Sequence, residues 1–409
     1  MAEGSIGTSR GNRRQYREEH EKSEINFATS TGQVHGSKAT TFFLKVYWRY
    51  RMRTVVRTLL SLHSAVLWLL LLLLAGCGTL SLSNPAPNLT PHFAYVTDSA
   101  TGQVLGFTVN TNTGALAPLG AFMAGTGPTA IAADAIGAIV YVANADGIVS
   151  GFIVNTTTGA LQPVPGPFTA GTHPISIAVD PSDRFVYVAN AGSNNISAFH
   201  ETAATGVLTP LAASASLSGT PTRIIIDPSG RFVYVTEGSA GTVVFSINAD
   251  ASLTLQQTVV PANVATSAIA VEPRLRFAYI ADNQNGVTAY SVNSTNGQLT
   301  ALSGATFAAG TAPVAVVADP SGSFLYVADG GSNDVSAFII NSNGFLTPTG
   351  TRQSLPSSPV DLAVDASGKF VYAVTSTGVT AFAIGSAGDL SAAGTTTAGT
   401  NLSAVTVLP

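Results

Sequence analysis

Residues 174–210 read PISIAVDPSDRFVYVANAGSNNISAFHETAATGVLTP. Three short apolar runs, Ile175–Val179, Phe185–Ala189 and Ile196–Phe199, are separated by the clusters Asp180–Asp183 and Asn190–Asn195; a weaker fourth run follows Thr205-Gly206. β-Branched and aromatic residues bounded by Gly, Pro, Asn, Asp and Ser predict four strands joined by tight turns. No amphipathic helical period competes with this reading.

The unit recurs. Its second-strand tyrosine returns as Tyr95, Tyr141, Tyr187, Tyr234, Tyr279, Tyr326 and Tyr372, spaced 45–47 residues apart. A third-strand aromatic keeps step at Phe107, Phe152, Phe199, Phe245, Tyr290, Phe338 and Phe382. So does the turn before the fourth strand, from Thr113-Gly114 to Ala387-Gly388, which degenerates to Ala251-Ser252 in the fourth copy. Four strands per unit at this period predict an all-β, seven-bladed β-propeller of antiparallel blades. The repeat region enters on a second strand, Phe93–Thr97, and ends on a lone first-type strand, Leu402–Leu408. The C-terminal strand is therefore expected to complete the first blade, which would hide two bare sheet edges.

Outside the repeats, residues 1–51 are polar, without sustained periodicity, and are read as a leader or an extension of the gene model. A Gly7-Thr8-Ser9-Arg10-Gly11 match there lacks the strand and helix that a nucleophile elbow requires. Met52 opens a basic start (Arg53, Arg57) and a leucine-rich run ending in Leu74-Ala75-Gly76-Cys77. The run is short for a spanning helix and suits an export signal, residues 52–77. Its end resembles the lipobox of bacterial lipoproteins, which implies lipidation of Cys77, membrane anchoring and an extracytoplasmic location. An uncleaved signal anchor is the competing reading. Residues 78–91, rich in Ser, Asn and Pro, form a tether, and 92–409 the propeller. Cys77 is the chain's single cysteine, so no intrachain disulfide supports the fold. Beyond Cys77 the chain has six Arg and one Lys against seventeen Asp and Glu, which lacks the basic footprint of nucleic-acid binding. A monomer is expected.

Three sets of residues invite a chemical reading. The recurring Asp-Pro-Ser-Gly turns (Asp180, Asp227, Asp319, Asp365 and their counterparts Asp134 and Glu272) are explained by carboxylates that accept from turn amides. Three residues after each marker tyrosine stand Asp98, Asn144, Asn190, Glu237, Asp282, Asp329 and Thr375. A propeller gathers these at one rim, where they could bind a small molecule, a glycan or a protein. They could also hold a divalent cation through oxygen ligands, or simply cap their own loops; no resident cofactor is otherwise implied. The second residue after the proline that opens each first strand is small in most copies: Ala130, Ser176, Ala268, Ala315, Ala404. Arg223 and Asp361 are the exceptions, three blades apart. His173 precedes the Pro174 strand and could reach the same mouth, whereas His200-Glu201 is placed beyond a third strand on the outer surface. No His spacing suits zinc.

Tyr141-Val142-Ala143-Asn144 and Tyr187-Val188-Ala189-Asn190 resemble the Y-V-T-N repeat of propeller surface proteins. Thr205-Gly206-Val207-Leu208-Thr209-Pro210 and Asn296-Gly297-Gln298-Leu299-Thr300 resemble an element of the lactonase family, which includes 6-phosphogluconolactonases. The resemblance covers about residues 92–409. It implies seven blades and lactone hydrolysis, but it lies in structural residues and carries no catalytic position over. Export and the scarcity of Arg and Lys run against a phosphorylated substrate. The sequence alone ranks a binding module at the rim first and a lactone hydrolase at the channel mouth, with His173, Arg223 and Asp361 as its candidates, second. An envelope spacer without a ligand comes third.

Overall fold

The computed structural model describes residues 92–408, apart from 213–214, 261–264 and 285. The leader, the export signal with Cys77 and the tether lie outside the described residues.

Seven antiparallel sheets follow one another around a ring. In blade 3 the strands run outward from the channel as Pro174–Val179, Phe185–Asn190, Asn195–Thr202 and Val207–Pro210. Blade 4 repeats the order from Arg223–Ile226, blade 5 from Thr266–Val271, blade 6 from Pro313–Ala318 and blade 7 from Pro359–Val364. Blade 2 begins at Pro128–Ala133. Blade 1 takes its innermost strand from the other end of the chain. Leu402–Val407 pairs with His92–Asp98, with Ala94 opposite Val407 and Val96 opposite Val405. The closure expected from the two incomplete ends is the one observed.

The second strands are buried on both faces, as in Phe185–Asn190, where every residue is buried. This explains why they read as unbroken apolar runs rather than alternating ones. Their side chains fill the wedges between neighbouring blades. One cluster joins blades 7 and 1 through Val374, Tyr372, Ala94 and Val405, and another joins blades 1 and 2 through Tyr95, Phe93 and Val142.

The marker tyrosines show how the repeat closes into a ring. Each is fully buried, and each hydroxyl donates to a turn carbonyl in the next blade, from Tyr95 to Gly159 at 2.7 Å around to Tyr372 to Gly114 at 3.1 Å. Burial pushes these phenols up, so they remain donors. In five of the seven contacts the turn glycine packs against a phenylalanine at the start of the preceding blade's second strand: a Cβ on Gly159 would strike Phe93, whereas Gly206 meets Ile139 and blade 4 has Ala251. Tyrosine, phenylalanine and turn glycine thus form one inter-blade contact, which is why they share a period.

Candidate functional site at the channel mouth

All seven innermost strands start at the same end of the channel. The residue after the opening position often carries a hydroxyl that reaches the next blade. Ser403 donates to the Pro128 carbonyl at 2.7 Å, Thr129 to Pro174 at 2.8 Å and Thr222 to Thr266 at 3.3 Å. In blades 3, 6 and 7 this position is apolar: Ile175, Val314 and Val360, the last 37% exposed.

One residue further in, the ring is lined by Ala130, Ser176, Arg223, Ala268, Ala315, Asp361 and Ala404. Arg223 extends from blade 4 and meets Asp361 of blade 7, with Nη2 2.9 Å from Oδ1. The two candidates singled out as exceptions in a small-residue ring therefore converge. Asp361 is almost fully buried, and its Oδ2 accepts from the Val405 amide at 3.0 Å. The contact at Oδ1 is close but not aligned as a hydrogen bond. Asp361 therefore keeps acceptor capacity, and the half-buried Arg223 keeps N–H donors. Ser176 repeats the Asp361 contact in neutral form, its Oγ accepting from the Ile224 amide at 3.1 Å.

His173 stands exposed in the loop before the blade 3 strand, in the left-handed region at φ 52°. Its carbonyl accepts from the Ala191 amide. The structure brings Arg223 and Asp361 together without engaging the His173 side chain in that pair.

The seven rim residues close their second strands, and all seven are at most 3% exposed. Asp98 accepts from the Ala100 and Thr400 amides, and Asn190 from the Gly171 amide. Glu237 accepts from the Ser218 hydroxyl and the Gly219 amide. Asn144 donates to the Ile148 carbonyl, Asp282 accepts from the Gln284 amide and Asp329 from the Ser336 hydroxyl. These contacts tie the hairpin beyond the second strand to itself or to the loop that opens the innermost strand. Among the described residues, no three His, Cys, Asp or Glu side chains group as a metal-binding set.

At the opposite end of the blades the Asp-Pro-Ser-Gly carboxylates do what turn chemistry predicts. Asp227 Oδ1 accepts from the Arg231 and Phe232 amides. Sequence reasoning missed Glu201. The third strand of blade 3 extends to Thr202, so strand alternation turns His200 outward and Glu201 inward, where it is 2% exposed. The other six copies carry Val or Ile at that position, from Val109 to Ile384, and that comparison was the available signal.

Comparison with known proteins adds to this geometry. Residues 244–360 match the family model described as lactonase, 7-bladed beta-propeller. The resemblance read from the repeat motifs is borne out in that segment. No curated protein matches the chain in sequence. A candidate 6-phosphogluconolactonase from Bacteroides uniformis is 20% identical with a TM-score of 0.70, covering 78% of this chain and 100% of its own. The periplasmic gluconolactonase PpgL of Pseudomonas aeruginosa is 18% identical with a TM-score of 0.68, covering 78% of this chain and 99% of its own. A Lactobacillus plantarum protein gives 20% identity and 0.68, with coverages of 78% and 100%. At such identities the likeness establishes the seven-bladed fold.

Proposed function

We propose that the protein is a lactone hydrolase acting at the channel mouth on an unphosphorylated sugar lactone. The observation that carries this is the meeting of Arg223 and Asp361 across the channel, in a chain whose family match is to lactonases. That match and the named gluconolactonase neighbour weigh toward hydrolysis and away from a binding module. The chemistry is ester hydrolysis. Water adds to the acyl carbon and passes a proton to Asp361. The acyl oxygen, negative in the adduct, faces the Arg223 guanidinium. The bond from acyl carbon to ring oxygen then breaks, and the proton returns to that oxygen, leaving a hydroxy acid. One guanidinium, already facing a carboxylate, offers little to a phosphate, whereas Ile175, Val314 and Val360 suit the C–H face of a neutral sugar.

Glucono-1,5-lactone and its 6-phosphate, followed by pH-stat against spontaneous hydrolysis, test this reading. The neutral lactone is expected to be the better substrate. Asp361→Asn, which can still accept from the Val405 amide, is expected to lower kcat by about 10²-fold or more. Rates no higher than background would overturn the proposal. Export and lipidation at Cys77 belong to the same reading: Cys77→Ser is expected to move the protein from the membrane to the soluble fraction, and unchanged fractionation would exclude the anchor.

A further inference from the structure

The channel wall carries a second, backbone-built feature. In an antiparallel pair, alternate residues turn their N–H and C=O toward the partner strand and the others turn theirs away. The amide that closes each inner hairpin fixes the phase. Asp227 N–H bonds to Phe232, and the same bond recurs at Asp134, Asp180, Glu272, Asp319 and Asp365, with Leu408 to Phe93 in blade 1. Residues three positions back, an odd step, have the opposite phase, which places Ile131, Ile177, Ile224, Ile269, Val316, Leu362 and Val405 with their amides toward the channel. Two observed bonds confirm the phase: the Ile224 amide meets Ser176 and the Val405 amide meets Asp361.

In both cases the acceptor is the side chain at the small-residue position of the preceding blade. At the other five amides the preceding blade offers Ala404, Ala130, Arg223, Ala268 or Ala315, none of which has an acceptor. Three of these amides, Ile269, Val316 and Leu362, lie on consecutive innermost strands. Arg223 borders this arc on one side and Asp361 on the other. Ala268 and Ala315 leave the Val316 and Leu362 amides uncapped, and Arg223 adds its remaining donors beside Ile269.

We propose that this arc binds the carboxylate of a polyhydroxylated acid, an aldonate. N–H donors and a guanidinium suit a carboxylate. The carbonyls of the same channel-facing residues can accept from the ligand's hydroxyl groups. A neutral polyol lacks the anion, and sulfate lacks the hydroxyls. That this acid is the product of turnover rests on the hydrolase reading; carboxylate binding at the arc does not.

Titration calorimetry of the full-length protein with gluconate, glucitol and sulfate tests the site. Gluconate is expected to bind, with glucitol and sulfate at least tenfold weaker. Ala268→Ser and Ala315→Ser install the acceptor that Ser176 provides in blade 3, and each is expected to weaken gluconate tenfold. Ala130→Ser makes the same change outside the arc and should leave binding unaltered. Asp361→Asn removes the competitor for Arg223 and is expected to tighten gluconate several-fold while lowering turnover. That opposite response separates the two proposals: gluconate binding without lactone turnover sinks the hydrolase and leaves the site. Gluconate that fails to bind, binds no better than glucitol, or ignores both arc serines sinks the site.

Discussion

Blades 3 and 6 carry almost the same hairpin, Asn190-Ala-Gly-Ser-Asn-Asn195-Ile-Ser197 against Asp329-Gly-Gly-Ser-Asn-Asp334-Val-Ser336. The backbones agree. Asn190 is paired with Asn195 and Asp329 with Asp334, and Asn194 and Asn333 both sit in the left-handed region, at φ 46° and 56°. The side-chain chemistry does not agree. In blade 3 the Asn190 amide donates to Asn195 Oδ1 and Ser197 Oγ, each at 2.9 Å. In blade 6 two carboxyl groups occupy the same places, and an ionised carboxylate can only accept. Asp329 is fully buried; burial first, and the adjoining Asp334 charge after it, hold its carboxyl well above the usual range. Glu201 reverses the contrast, because blade 3 buries an acid where blade 6 has Ile340. The lesson is that this fold fixes backbone positions firmly enough to accept a buried acid, and that such an acid is driven toward the neutral form where it lacks the paired amides or guanidinium that Asp227 and Asp361 have.

The donor count at Glu201 makes this concrete. Tyr141 Oη lies 3.0 Å from both Glu201 Oε1 and the Gly206 carbonyl. A phenol has one proton, and the six other marker tyrosines give theirs to the turn, as Tyr279 does to Gly344. Tyr141 therefore has a single proton to share between the Gly206 carbonyl and Glu201 Oε1, too little to hold an ionised Glu201 carboxylate in a buried site. Burial pushes its carboxyl up to about 7; the hydrogen bond from Tyr141 opposes this, and Asp134, Asp183 and Asp180 reinforce it. Arg184 pairs with Asp180, and His200 faces outward.

The largest expected effect follows. A folded-state value above the unfolded one means stability is highest below about pH 4.5, falls as pH rises to about 7, and is level beyond, with a loss of about 3 kcal/mol from this group. Glu201→Val, the aliphatic choice of the other blades, is expected to remove that loss. Denaturant unfolding at about pH 5 and pH 8 checks it. An equal pH dependence in wild type and variant would show that Glu201 is ionised throughout and the contrast is false.

The period, the blade tally and the ring closure were legible in the sequence because a buried tyrosine bonds the next blade's turn carbonyl seven times, five of them with a phenylalanine against the turn glycine. Arg223 and Asp361 were legible because they interrupt a small-residue ring. Burial at the rim was not: a residue such as Glu237 is covered by Ser218 and Gly219, and that depends on a loop folding back over the strand end. The channel amides were hidden for another reason, since they belong to the backbone and show in the sequence only as alanines.

The next effect sharpens the hairpin comparison directly. Asp329→Asn gives blade 6 the amide that blade 3 already uses, so it is expected to stabilise by about 1–2 kcal/mol at pH 8, where the cost of the buried, ionised Asp329 beside Asp334 is greatest, and by little at pH 5. Asn190→Asp should do the reverse in blade 3. Arg352, 3.4 Å from Asp334, leaves one charge of the blade 6 pair balanced. If Asp329→Asn destabilises at both pH values, the two hairpins differ by more than their protons.

The smallest effect concerns the turn each blade's tyrosine reaches. Tyr326 of blade 6 donates to Gly388, a glycine at φ 80°, whereas Tyr187 of blade 3 donates to Ala251, held at φ 65°. The alanine repeats the contact but sits where a Cβ crowds the backbone. The left-handed conformation costs a non-glycine residue about 1–2 kcal/mol, and glycine gives back about 0.5–1 kcal/mol in chain entropy. Ala251→Gly is therefore expected to stabilise by about 0.5–1 kcal/mol, read as a small rise in Tm. A fall would mean that the buried Ala251 methyl, packed with Val243 and Phe245, contributes more than its strain removes, and that the degenerate turn is a packing choice within blade 4.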